Sequence, residues 1–210
     1  TKTINKMKKN KIFKTEVKLE RNNYMENILG NLVSYIYKNL TKSDVGFLAP
    51  GNLRYIWDKG TVSEYEFRNM FPFGGNFSRY NVTGKNLKKI VKTLQEGETG
   101  IYSFSGLRMD IDYFSSKKRK LITDSLTFEN GKKIIDEKMY SISSNDFNLL
   151  GGDSMNKFKK NGKMMINSTS IESSLNILDN IGNFFKNLEV LKVEDANKLL
   201  GKVNIKYIYS

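Results

Sequence analysis

Met139-Tyr-Ser-Ile-Ser-Ser-Asn-Asp-Phe-Asn-Leu-Leu-Gly-Gly-Asp153 is the stretch on which the reading of this chain turns. Met139 to Ser143 has the composition of a strand. An aromatic, a glycine pair and an acid follow, with no helix signal between them. Two adjacent glycines allow positive φ and a close approach of backbone to a neighbour. An acid directly after them commonly accepts hydrogen bonds in a turn. The strand therefore runs into an irregular loop, at which Phe147 and Asp153 either face a ligand or merely finish the turn.

Outward from this point the chain alternates between the two periodicities. Upstream, Leu107, Met109, Ile111 and Tyr113 alternate with Arg108, Asp110 and Asp112, the period of a strand with one wet face. Leu121 to Phe128 and Lys132 to Ile135 flank Asn130-Gly131, a hairpin signal. Thr83 is placed to cap a helix with Leu87, Ile90, Val91 and Leu94 on one face, closed by Gly97. Asn76 to Val82 reads as a strand, and Ser63 with Glu66 makes a capping box that opens a short helix ending before Phe71-Pro72. Asp44 to Leu48 reads as a short buried strand and Ala49 to Asn52 as a turn. Met25, Ile28, Leu29, Leu32, Val33, Ile36 and Leu40 place an amphipathic helix over about 23 to 40.

Downstream of Asp153, Thr169 or Ser170 is expected to cap a helix carrying Ile171, Leu175, Leu178, Ile181, Phe185 and Leu188, and Val203 to Tyr209 alternates as a last strand. The class is α+β (mixed α/β), with a mixed sheet and flanking helices. Residues 1–22 read as a basic leader or edge segment and 23–210 as the domain.

Composition narrows the chemistry. The chain has 210 residues, 39% hydrophobic and 12% aromatic with only 2 prolines, an ordinary globular balance. It contains neither cysteine nor histidine. That removes thiolate nucleophiles, imidazole bases and the usual zinc ligands from the residues at hand. No apolar run approaches the ~18 residues of a membrane span. Net charge is +13, but seven lysines against Glu16 place +6 of it in residues 1 to 18. The basic excess is thus partly a tail, and a nucleic-acid partner is disfavoured.

Several pieces then line up in order: Glu26-Asn27-Ile28-Leu29-Gly30-Asn31-Leu32, Gly51-Asn52-Leu53-Arg54, Phe71-Pro72-Phe73-Gly74-Gly75, Thr83-Gly84-Lys85-Asn86-Leu87, Ser105-Gly106-Leu107-Arg108, and Asn145-Asp146-Phe147 with Gly151-Gly152-Asp153. Together they resemble the C-terminal domain of the 5'-nucleotidase and UDP-sugar hydrolase family over about residues 23 to 160. In that family a metallophosphoesterase domain holds two metal ions and performs the hydrolysis, and the C-terminal domain supplies the pocket for the nucleoside part of the substrate.

The resemblance implies that Phe73 and Phe147 sandwich the base, that Asp153 accepts from the ribose hydroxyls beside Gly151 and Gly152, and that Arg54 faces phosphate, where a guanidinium fork donates two hydrogen bonds at once. It implies no catalytic residue, metal ligand or cofactor in these residues. Divalent metals are expected only in a metallophosphoesterase domain or chain, a partner beside the nucleotide or nucleoside itself, and this chain alone is expected to be inactive. A homodimer is a further partner compatible with the family. Localisation by the same resemblance is periplasmic, cell-surface or secreted.

Two departures from the family pattern stand out. The asparagine that would bond the base edge is replaced by Ala49, followed by Pro50, and a substrate-binding arginine is replaced by Asn23, with Arg21 nearby. They favour an alternative, a degenerate domain kept as a non-catalytic binding or interaction module. A basic nucleic-acid binder is the third and least favoured reading.

Overall fold

In a computed structural model, residues 2–113, 119–160, 163–164, 174–200 and 204–208 are described. The first half runs α1 (Lys2–Lys9), β1 (Lys11–Thr15), α2 (Ile28–Leu40), β2 (Val45–Leu48), β3 (Gly60–Ser63), α3 (Glu64–Met70), β4 (Asn76–Thr83), α4 (Gly84–Gln95) and β5 (Ser103–Ser105). The second runs β6 (Leu107–Tyr113), β7 (Arg119–Phe128), β8 (Met139–Asn145), α5 (Asp146–Leu149), β9 (Lys159–Lys160), β10 (Lys163–Met164), β11 (Ser174–Asn176), α6 (Ile177–Leu188), β12 (Val190–Leu191), α7 (Val193–Leu200) and β13 (Ile205–Ile208).

The central sheet has the order β11-β4-β8-β2-β5. β2 is parallel to β8, whereas β4 is antiparallel to β8 and β5 antiparallel to β2. Its middle strands are buried on both faces. Val45 and Phe47 of β2, with Tyr80 and Val82 of β4, enter a core shared with α4, β6 and β7. Leu48 and Phe77 point the other way, into a core built on α2, α6 and Trp57. Period-2 alternation thus serves two cores rather than one core and solvent. Two three-stranded sheets, β12-β1-β3 and β13-β6-β7, flank the centre. Sheets of mixed parallel and antiparallel pairing with flanking helices make the class α+β.

Local signals act as their chemistry dictates. Ser63 and Glu66 form the reciprocal capping box of α3, the Thr83 side chain accepts from the Asn86 N–H to open α4, and Asn27 does the same for α2 through the Gly30 N–H. Helix α2 starts at Ile28 rather than 23, because Asn27 is its cap and Asn22 caps a separate turn through the Tyr24 and Met25 N–H groups.

Four expectations are corrected. The segment read as a leader or edge contains β1, the middle strand of its sheet, with Ile12 and Phe13 buried and the Phe13 ring packed on Trp57 and Phe185. Its lysines lie on the wet face while Ile12, Phe13 and Thr15 face in, so the basic composition conceals a buried strand. Asn130-Gly131 does turn the chain, but Lys132 to Ile135 makes only one β-bridge, Thr127 with Lys133, beside the Phe128 N–H bond to the Lys132 carbonyl, and the long partner of β7 is β6. Helix α6 begins at Ile177, capped by Asn176, and Leu175 belongs to β11. Thr169, Ser170 and Ile171 lie outside the described residues, as do Val203 and Tyr209 at the ends of the last strand. Finally, α5 stands where the sequence reads as an irregular loop: the Asn145 side chain accepts from the Asn148 N–H at 3.0 Å and caps one turn.

Candidate functional site

Three loops converge because of the strand order. Residues 49–54 leave the end of β2, 71–75 lead into the start of β4, and 146–153 leave the end of β8. With β2 parallel to β8 and β4 antiparallel to it, all three meet at the same end of the three middle strands. Crevices beyond the carboxyl ends of parallel strands are common ligand sites.

A cavity of about 440 Å³ opens there, and Arg54, Phe73, Asp146, Phe147 and Asp153 are among its lining residues. Phe73 is 68% exposed and Phe147 60%. Neither is a core residue, which removes packing as the ordinary explanation for a phenylalanine.

Each side chain is held by local structure. Gly74 and Gly75 have φ of 52° and 79°, the left-handed region in which glycine meets no steric penalty, and they turn the chain into β4 with Phe73 projecting. The Arg54 Nε–H donates to the Gly51 carbonyl at 2.7 Å, and its guanidinium carbon lies 5.2 Å from the centre of the Phe73 ring. Phe147 rests against bare backbone: a Cβ at Gly152 would lie 2.5 Å from Phe147 Cζ and 2.6 Å from Cδ1. Gly151, at φ 91°, has the Lys159 side chain where a Cβ would be. Asp153 itself has φ 47°, a conformation that L residues other than Asn and Asp seldom adopt.

Of the six residues singled out from the sequence, Arg54, Phe73, Phe147 and Asp153 line one cavity. Gly151 and Gly152 are not among its lining residues; they shape it from behind. Sequence reasoning missed Asp146, which lines the wall and accepts from the Ser78 hydroxyl at 2.5 Å, and Asn148, which touches Asp153. The cap position after β8 was the signal available for both.

The departures also have physical correlates. Ala49 and Pro50 are buried, and Pro50 opens a single tight turn closed by Asn52 N–H to the Ala49 carbonyl at 3.1 Å. Asn23 works through its backbone, its carbonyl accepting from the Ile101 N–H at 2.8 Å. Arg21 donates to the Leu53 carbonyl at 3.4 Å, bracing the loop that carries Arg54.

Elsewhere in the fold, Glu26 ties the start of α2 to β13. Its carboxylate accepts from Asn31 Nδ2, the Asn204 N–H and the Ile205 N–H at 2.8, 3.2 and 3.1 Å. Burial pushes its pKa above the usual carboxylate value, opposed by those hydrogen bonds. Among the described residues no three His, Cys, Asp or Glu side chains are grouped to hold a metal ion, and no helix is long and apolar enough to cross a membrane.

Fold and cavity define a class: a mixed-sheet α+β domain with a partly apolar crevice at the carboxyl ends of its parallel strands. Within that class the chain belongs to the family of 5'-nucleotidase C-terminal domains, whose family model matches residues 3–160. The match starts well before residue 23 and includes β1.

Endonuclease YhcR of Bacillus subtilis (strain 168) is 25% identical over 120 residues, 57% of this chain and 9% of that protein. Among solved structures, the 5'-nucleotidase precursor of Thermus thermophilus superposes with a TM-score of 0.81 at 17% identity, covering 99% of this chain and 41% of that one. The Haemophilus influenzae NAD nucleotidase superposes with 0.72 at 16% identity, covering 98% and 39%. The chain therefore spans less than half the length of these relatives, and at such identities the superpositions establish the fold.

Proposed function

We propose that this domain recognises a nucleotide or nucleoside for a 5'-nucleotidase-type phosphohydrolase, the hydrolysis being performed by a metallophosphoesterase domain or chain that carries divalent metals. One observation carries the reading. Two phenylalanines, one from the loop before β4 and one from the single turn of α5, both more exposed than buried, line one cavity together with a guanidinium and the carboxylates of Asp146 and Asp153. Such a set suits each part of a nucleotide. Flat rings take the base by stacking, which contributes about 1–3 kcal/mol per base whatever its identity. The Asp153 oxygens accept from the ribose hydroxyls. Arg54 has only its Nε engaged among the described hydrogen bonds, leaving its Nη groups for phosphate.

Localisation outside the cytoplasm belongs to the same proposal, supported by the description of the Thermus relative as a precursor. The buried Ala49 and the stiffened Pro50 turn favour a second reading, a degenerate domain kept as a non-catalytic binding or interaction module.

Calorimetric titration with adenosine, AMP and UMP, beside a phosphate-release assay with added divalent metal, tests both. Saturable binding without phosphate release is expected. Equal affinity for AMP and UMP is the result expected of stacking without a base-edge contact. Absence of binding to all three overturns the first reading and favours the second.

A further inference from the structure

Behind the cavity wall lies a polar side chain that the fold alone does not account for. Asn148 is wholly buried, at 0% exposure, in the single turn of α5. Its Nδ2 donates to Asp153 Oδ2 at 3.3 Å, and its Oδ1, also buried, has no hydrogen-bond partner among the described residues. The opposite amide orientation would set a carbonyl oxygen against a carboxylate, so the donating orientation is fixed by chemistry. A buried amide oxygen left without a partner costs stability, and an apolar side chain in this position would avoid that cost. Residues that weaken a fold beside a cavity are those for which a functional reason is to be sought.

We infer that Asn148 is a positioning residue that holds the Asp153 carboxylate in the orientation needed to accept both hydroxyls of a cis-diol, and that it thereby sets the preference for ribosides over 2'-deoxyribosides. This rests on the nucleoside-binding reading above. Asp153 is constrained twice over. Its backbone is held at φ 47°, and the carboxylate at its end is tied through one oxygen to Asn148. With Oδ2 anchored, rotation about the Cβ–Cγ bond is restricted, and Oδ1 together with the remaining lone pair of Oδ2 is available to the ligand. A diol needs two acceptors in fixed relation, whereas a 2'-deoxyribose needs one. Freeing the carboxylate therefore weakens the first interaction more than the second.

The test is calorimetric titration of the 210-residue chain and of Asn148→Leu and Asn148→Ala with adenosine, 2'-deoxyadenosine and adenine, beside thermal unfolding of each protein. The unsubstituted chain is expected to prefer adenosine to 2'-deoxyadenosine. In both variants adenosine affinity is expected to fall roughly five- to tenfold, the loss of about one charge-assisted hydrogen bond. The preference over the deoxyriboside should shrink toward unity, adenine binding should not change, and Tm should hold or rise for Asn148→Leu. Retained discrimination in the variants overturns the inference while leaving the nucleoside-binding reading intact. A lower Tm in both variants assigns Asn148 to the fold and overturns it as well. Failure of the unsubstituted chain to bind any of the three overturns the reading on which the inference rests.

Discussion

Gly152→Ala perturbs the site without removing a single atom that would touch ligand. Gly152 has φ −76° and ψ 163°, ordinary extended geometry that alanine adopts freely, so the backbone has no reason to resist. The added methyl meets the Phe147 ring, at 2.5 Å from Cζ and 2.6 Å from Cδ1. To recover normal carbon–carbon contact the ring must retreat by about 1 Å. Because Phe147 is 60% exposed, that retreat disturbs little packing. The unfolded chain meanwhile loses backbone freedom, a gain for the folded state of about 0.4–1 kcal/mol. Unfolding should therefore occur at the same Tm or a few degrees higher.

Base stacking is another matter. A gap of this size forfeits a quarter to a half of each dispersion contact, so the affinity for nucleosides should fall by on the order of 1 kcal/mol, about fivefold. Phe147→Ala sets the upper limit for comparison, with the whole stack removed. Calorimetric titration with adenosine, beside thermal unfolding, reads both quantities. An unchanged affinity in Gly152→Ala would show that the position of Phe147 is irrelevant to binding. A stability loss near the ~3–5 kcal/mol of a core phenylalanine in Phe147→Ala would refute the premise that this ring stands outside the core.

The other predictions address the remaining groups. Arg54→Ala should weaken AMP by about tenfold, the worth of a charge-assisted contact, and leave adenosine nearly unchanged; equal losses for the two would remove Arg54 from the phosphate role. Asp153→Asn should reduce affinity for adenosine but not for adenine, and a parallel loss in both would assign Asp153 to the loop alone. Glu26 has a folded-state pKa raised above 4.5. The folded protein thus binds that proton more tightly than the unfolded chain, and stability relative to Glu26→Gln should fall as pH rises from about 4.5 through the raised value. Urea unfolding at several pH values measures the difference, and a rise over that interval would contradict the assignment.

Much of this was legible in the residues, and the reasons for the rest are physical. Ser63 with Glu66, and Thr83 before Leu87 and Ile90, are local devices whose partners lie within a few residues, so pattern and structure agree. Phe73 and Phe147 were placed by ordered motifs, since no periodicity distinguishes an exposed aromatic from a buried one. β1, β5 and β12 span five, three and two residues, too short for a period to register. Their identity as strands depends on partners distant in sequence, as when Lys14 pairs with Val190. The Asn148–Asp153 contact is invisible for a related reason. It depends on Gly151 turning the chain at positive φ, which brings the two side chains together behind the cavity wall.

The same long-range pairing bears on how this domain can be handled. The family model ends at residue 160, yet β11, β12 and β13 come from beyond it and pair with β4, β1 and β6. A fragment cut at that limit would keep every cavity residue and expose the backbone donors and acceptors of three strands at once. Bare strand edges recruit one another, so such a fragment should precipitate rather than report on binding. The smallest useful piece of this protein extends at least through Ile208.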